Sequence, residues 1–421
     1  MSDDNGVAGW RAGAVDHLDR ATSVLRPQDG LGSGRRHQGP LEGLRGVVLA
    51  GQGPGPFATM LLADLGADII RVDRVAAVDL PPSPDNILGR GCRSVAVDIR
   101  SDRGGSIVRQ LAEGADFLVE GFRPGVLERF GLGPGPLLAL NRGLVYARMT
   151  GWGQDGPYAQ NPGHDINYIA TTGVLNAIGP AGGKPIPPLN LVGDYGGGGM
   201  LLVVGILSGL LERMKSGTGQ VIDVSMLDGS LLLATQFFGL TAAGMWSNRR
   251  GSNSLDGGLP FYDVYAAADG YYVSVAALEP QFLDDLLAAL NLKHHFEDPY
   301  DEGCWPEMRQ QFRAVFATQT REYWARLGIE RRLCLSPVRS FEEVQNDPHV
   351  AVRGCLTELD GVVQPEAAPR FSRTPCFARV PAPRAGEHTM EVLSSCGMSA
   401  EAIAQLADEG VVGVDKWPGQ R

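Results

Sequence analysis

Histidine is scarce in this chain, seven in 421 residues, so each one in a polar loop stands out. The six cysteines (Cys92, Cys304, Cys334, Cys355, Cys376 and Cys396) form no C-x-x-C pair and do not cluster. That spacing argues against a disulfide framework or a zinc site, and it fits a reducing compartment. Positive charge is outweighed: 37 Lys and Arg stand against 48 Asp and Glu, a net charge of −11. A general nucleic-acid binder is thereby excluded, though a local basic pocket for an anionic ligand is not. The longest apolar run, "MLLVVGILSGLL" (Met200 to Leu211), is too short to span a bilayer and reads as a buried helix. No basic n-region precedes an apolar core at the N-terminus, and the final Gly-Gln-Arg is not a peroxisomal address. A cytoplasmic location is the expectation.

What remains is ordinary for a globular protein: 43% hydrophobic and 20% charged residues. At roughly 100–200 residues per domain, two or three domains are expected. Residues 1–40 are polar and read as a poorly ordered extension or a single loose helix. From Leu41 an α/β rhythm begins. "LRGVVLAG", "DIIRVDR", "SVAVDIRS", "DFLVEGF" and "GLVYARMT" read as strands, alternating with helices such as "PFATMLLADLGA" and "GSIVRQLAEGA". Such alternation indicates βαβ units and a parallel sheet. "GQVIDVSMLDG" reads as a strand and then a turn. Past about Leu240 the pattern changes: "GGLPFYDVYAAADGYYVSVAAL" reads as an antiparallel hairpin with Ala-Asp-Gly at its turn. Helical segments follow. Near the C-terminus, Ser399 caps a helix that stops at Gly410.

Several motifs invite a chemical reading. "AGQGPGPFATMLLADLG" follows a strand and opens a helix, but Pro54 and Pro56 remove N–H donors that would cradle a pyrophosphate. A Gly/Pro turn feeding a packed helix explains it better than a nicotinamide site. Arginines recur at strand ends and in loops: Arg71, Arg74, Arg90, Arg93, Arg123 and Arg129. A planar guanidinium binds phosphate well, so as a group they favour an anionic ligand. Any single one is as readily a surface or salt-bridge residue.

His164 follows Pro162-Gly163, and a helical run begins near Asp165. A histidine at a helix start is a candidate proton acceptor. A hydrogen-bonded structural histidine, with Asp165 as helix cap, is the equal alternative. Asp194 stands in "VGDYGGGGM", where four successive glycines cost chain entropy and imply close backbone approach. Glu279, in "AALEPQF" between a strand and a helix, is either a cap or a carboxylate that orients a histidine.

With these residues in view, the chain resembles the family III CoA-transferase superfamily. The likeness is carried by "GPGPFATMLLADLGADIIRVDR", "VEGFRPGVLERFGLGP", "LVYARMTGWGQDGPY", "GHDINYIATTGVL", "PLNLVGDYGGGGM" and "GLPFYDVYAAADGYYVSVAALEPQF", from about Leu41 to about Val412. Within the superfamily it is most similar to the α-methylacyl-CoA racemases. They place a histidine before the aspartate that serves transferases as nucleophile, here His164 before Asp165. They also carry an aspartate in a Gly-rich segment, here Asp194, and a glutamate in an "EP" pair, here Glu279. The extension falls outside the family pattern, "EHTMEVL" replaces the more usual "EHTDEVL", and Cys92 stands where a lysine is more common.

The resemblance implies an α/β fold. A Rossmann-like large domain is built from both chain ends (41–235 with 365–421), with a smaller α+β domain (236–364). It implies an interlocked homodimer in which Glu279 reaches His164 across the subunits. The implied activity is racemisation of an acyl-CoA thioester by proton transfer at the α-carbon through an enolate. His164, oriented by Glu279, works on one face and Asp194 on the other, with the backbone N–H of Asp165 at the enolate oxygen. The CoA nucleotide is expected along Arg74, Arg123 and Arg129, and the acyl tail near Met149, Met200 and Met226. No metal or redox cofactor is expected, CoA being part of the substrate; nor is a nucleic-acid partner or a membrane span. The alternatives are CoA transfer between carboxylic acids with Asp165 as nucleophile, and CoA-ester binding without turnover.

Overall fold

Runs of β-branched and apolar residues, each closed by a polar or glycine turn, set the strands of this molecule. A computed structural model describes residues 39–415 other than 50, 82 and 379. The extension read over residues 1–40 thus lies, up to residue 38, outside the described residues. The strands are β1 (Arg45–Leu49), β2 (Asp68–Asp73), β3 (Cys92–Val97), β4 (Phe117–Glu120), β5 (Val145–Thr150), β6 (Val221–Ser225) and a short C-terminal strand (Val412–Gly413), joined in the order C-terminal strand-β3-β2-β1-β4-β5-β6. Pairing is parallel between β1 and β2, β1 and β4, β2 and β3, and β4 and β5; the C-terminal strand joins β3 antiparallel. The central strands are buried on both faces, so they read as near-continuous apolar runs. The strand order reverses beside β1, and in such sheets ligands bind in the crevice at the carboxyl ends there.

The described residues divide into two compact units: 39–160 with Gly198–Val224 and 354–415, and Asn161–Gly197 with Ser225–Arg353. The first contains the seven-stranded sheet. Its C-terminal segment is tied in by Thr389, whose Oγ1 accepts from Ala96 N–H at 3.1 Å and donates to the Gly413 carbonyl at 2.7 Å. Both ends of the described chain therefore build one sheet. The sequence places the large domain through residue 235; in the fold, Asn161–Gly197 and the stretch after Val224 belong to the second unit.

The second unit carries the expected hairpin. Strands β7 (Tyr262–Ala266) and β8 (Tyr272–Ala276) pair antiparallel, Gly270 takes φ +79° in the turn, and β9 (Leu335–Pro337) joins β8. Phe261, Tyr265, Phe312, Phe316 and Trp324 fill the core beneath it.

Two segments differ from expectation. "SMLDG" is not a turn but the start of a helix, Met226–Leu233, capped by Ser225, whose hydroxyl accepts from Asp228 N–H at 2.9 Å. The buried helix expected from Met200 is present, and helical structure also begins before it. A π-helical stretch, Leu191–Met200, passes directly into the helix Leu201–Ser216, giving 26 helical residues, of which an 18-residue portion has a mean hydropathy of 1.5. Length and composition alone allow such a helix to cross a membrane. In the fold it turns Leu202, Ile206 and Leu210 inward, and Gly209 sits over Val145 and Ile222 of the sheet.

Candidate active site

The residues of "GHDINY" are set by local hydrogen bonds. His164 caps the short helix Asp165–Ala170 in extended conformation, φ −131° and ψ 174°. Its N–H donates to Asn167 Oδ1 at 3.0 Å, and the Tyr168 hydroxyl donates to the Gly163 carbonyl. A helix therefore starts where the sequence placed one, with His164 rather than Asp165 at the cap. The imidazole is exposed while the Asp165 side chain is buried.

Asp165 joins this turn to the glycine-rich segment. Its Oδ1 accepts the backbone N–H of Asp194 at 2.7 Å, and Oδ2 is buried without a hydrogen-bond partner among the described residues. A Cβ on Gly193 would lie 2.4 Å from Asp165 Oδ1, and one on Gly197 2.8 Å from the Ser230 nitrogen. The glycines are thus explained by close approach, the reason their sequence suggested. Half-buried Asp194 holds its proton above the ordinary carboxylate range. Burial is the main cause and the Asp165 charge adds to it; the hydrogen bond from Asn190 and the charge of His164 oppose it. Asn190 Nδ2 donates to Asp194 Oδ2 at 3.1 Å. Burial, with the nearby Asp194 charge, also raises the Tyr168 hydroxyl. The geometry thus brings His164, Asp165 and Asp194 into one site, an imidazole and a carboxyl group within electrostatic reach of each other.

Glu279 is elsewhere in the chain. It caps the helix Pro280–Ala289 with an exposed side chain that makes no capping bond. Its charge acts on Tyr300 and Cys334. Among the described residues no hydrogen bond or ion pair joins it to His164 within one chain.

The arginines separate into two classes. Arg90 is buried against Asp64 at 2.6 Å and bonds Gln364 at 3.0 Å; Arg93 pairs with Asp68 at 2.5 Å and Glu391 at 3.1 Å; Arg71 pairs with Asp73 at 2.8 Å. These three are structural. Cys92, at the lysine position, is buried and its thiol is pushed up to about 12 by that burial, an inert group. Arg74, Arg123 and Arg129 are exposed. Arg74 lines a cavity of about 610 Å³ at the carboxyl ends of the strands, with Leu49, Asp73, Asp98, Arg100 and Phe122. Arg123 and Arg129 together line a second cleft of about 450 Å³. Of the methionines, Met149 and Met226 are buried in packed core, while Met200 is half exposed.

Asn190, Tyr168 and Arg100 escaped the sequence reading. Asn190 stands four residues before Asp194, one helical turn, so reading "NLVGD" as helical would have paired them.

The chain belongs to CoA-transferase family III, whose pattern matches residues 41–389. Within that family it is similar to the α-methylacyl-CoA racemase of Mus musculus, 43% identical over 89% of this chain and 98% of the relative. It is likewise similar to the α-methylacyl-CoA racemase of Homo sapiens, 40% identical over the same shares. Those relatives are isomerases. Among solved structures, a CAIB/BAIF family protein from Brucella suis superposes with a TM-score of 0.75 at 25% identity, covering 86% of this chain and 100% of its own.

Proposed function

We propose that the protein racemises 2-methylacyl-CoA thioesters by moving a proton on and off the α-carbon. An α-proton beside a thioester is weakly acidic, so removal needs a positioned base and stabilisation of the enolate oxygen. Inversion needs a proton donor on the opposite face. His164 takes the proton from one face, the electron pair passes into the enolate, and Asp194 delivers a proton to the other face; the reverse direction exchanges the roles. The Asp165 N–H is the donor proposed for the enolate oxygen, a contribution of about 3 kcal/mol when such a donor is preorganised. Glu279 of the second subunit of an interlocked dimer orients His164. Arg74, Arg123 and Arg129 take the anionic end of CoA. The reaction calls for no metal or redox group.

One observation carries this reading. The 2.7 Å bond from Asp194 N–H to Asp165 Oδ1 ties the raised carboxyl group to the residue beside His164. A candidate base and a candidate acid thus stand in one site. For CoA transfer through Asp165, the alternative reading, Oδ1 is occupied by that bond and Oδ2, buried without a hydrogen-bond partner among the described residues, is the oxygen left to act as nucleophile.

The test is incubation of a single (R)-2-methylacyl-CoA in deuterated water without a second acid. Racemisation places deuterium at the α-carbon as chirality is lost. His164→Ala lowers exchange by roughly 10²–10⁴-fold, the contribution of a positioned proton-transfer group. CoA passing to an added carboxylic acid, without α-exchange, would establish transfer instead. Exchange by His164→Ala at the wild-type rate removes histidine as the base.

A further inference from the structure

The geometry points to Arg148, acting through Glu120 and Glu128, as the positioning residue of the loop 121–131, holding Arg123 and Arg129 at the cleft they line. This deepens the proposed function and rests on it in one respect: that those two arginines take the anionic end of CoA.

Glu120 closes β4 and is 0% exposed, an unusual place for a carboxylate. Its bonds explain it. Oε2 accepts the N–H of Phe122 at 2.7 Å, at the entry to the loop, and Oε1 accepts Arg148 Nε at 2.8 Å. Arg148 is the register partner of Glu120 on β5. Its Nη1 extends to Glu128 Oε1 at 3.0 Å. One guanidinium thus grips the residue before the loop and the residue beside Arg129, a fork that a lysine cannot reproduce.

Neighbouring contacts serve the same loop. Tyr146, two residues earlier and so on the same face of β5, donates its hydroxyl to the Leu132 carbonyl at 2.9 Å. Gln160 Nε2 donates to the Pro124 carbonyl at 3.2 Å. Gly131 is left-handed at φ +65°, and a Cβ on Gly133 would lie 2.7 Å from Glu128 Cγ. Arg148 itself does not line the cleft; Arg123, Pro124, Gly125, Val126, Arg129 and Gln160 do. Its contribution is therefore preorganisation. An ordered loop loses less freedom when an anion binds, so affinity for the nucleotide depends on the grip while turnover of bound substrate does not.

The experiment compares wild type, Arg148→Lys and Glu128→Gln. Desulfo-CoA binding is followed by calorimetry, and steady-state racemisation is measured with a 2-methylacyl-CoA and with the matching acyl-pantetheine, which lacks the nucleotide. The expected result is a loss of desulfo-CoA affinity and a rise in KM for the CoA ester, roughly three- to tenfold. kcat stays within about twofold, and KM for the pantetheine ester is unchanged. Glu128 is partly exposed, so Glu128→Gln keeps the test in hand if Arg148→Lys does not fold. Equal losses with both substrates, or unchanged desulfo-CoA affinity in a folded Glu128→Gln protein, overturn the proposal. Arg123→Ala and Arg129→Ala separate the two levels. If they weaken desulfo-CoA binding and Glu128→Gln does not, the positioning role fails alone. If they leave binding intact, the nucleotide reading fails and the positioning role with it.

Discussion

Asp194 lies under opposing influences, and their balance is open to test. Burial and the neighbouring Asp165 charge favour its protonated form, while the Asn190 amide and the His164 charge favour the carboxylate. A hydrogen bond to a charged group contributes about 1.5–3 kcal/mol, enough to move a titration measurably. Asn190→Leu removes the donor at 3.1 Å and leaves burial less opposed, so Asp194 keeps its proton to higher pH. In the proposed mechanism Asp194 is the base for one enantiomer and the acid for the other. In the first role activity is gained as pH rises through its titration; in the second it is lost. Asn190→Leu therefore moves that limb of the kcat/KM profile upward in both directions. A limb that stays in place, or moves to lower pH, assigns it to another group. At this scale the sequence was informative where residue types are rare. His164 stood out among seven histidines, and Asp194 stood out beside its glycines. Asn190 did not, because its role needs the π-helical turn that the glycines disguise as a loop.

Elements were legible where one physical pattern dominates. Strands buried on both faces read directly from their apolar runs, and the hairpin read from its Ala-Asp-Gly turn. The arginines were legible only as a group. Arg71 is consumed by Asp73 on the same strand, two residues on, while Arg90 and Arg93 are consumed by Asp64 and Asp68, partners that the packing of separate elements brings near. The helix expected from Met200 onward is present as Leu201–Ser216, and Gly209 is part of its packing surface. A Cβ on Gly209 meets Ile222 Cδ1 at 3.0 Å and Val145 Cγ1 at 3.1 Å, both in the sheet below. Gly209→Val must displace those side chains, an overpacking cost of about 1–3 kcal/mol. For a domain of this size each kcal/mol lowers Tm by about 2–4 °C. Ser208→Val on the exposed side of the same helix is the control and leaves Tm nearly unchanged. A Gly209→Val protein as stable as wild type would mean that the helix does not rest on β5 and β6 through this glycine.

At the scale of the whole molecule, the histidine and its proposed orienting carboxylate do not meet within one chain. Glu279 is exposed at a helix cap, with Tyr300 and Cys334 as the groups that feel its charge. An exposed carboxylate that makes no capping bond is available to a second copy, as the proposed interlocked dimer would require. Subunit complementation decides the matter. His164→Ala and Glu279→Ala chains, each carrying a different tag, are co-expressed so that interlocked pairs form during folding, and the mixed dimer is isolated through both tags. If the site is shared between subunits, one of its two sites combines both substitutions. The other combines an intact His164 with an intact Glu279 from the opposite chain. The mixed dimer then recovers about half the wild-type activity, while each parent homodimer is deficient at both sites. If Glu279 serves the histidine of its own chain, every site in the mixed dimer carries one substitution and no activity returns. A mixed dimer no more active than its parents therefore eliminates the shared site.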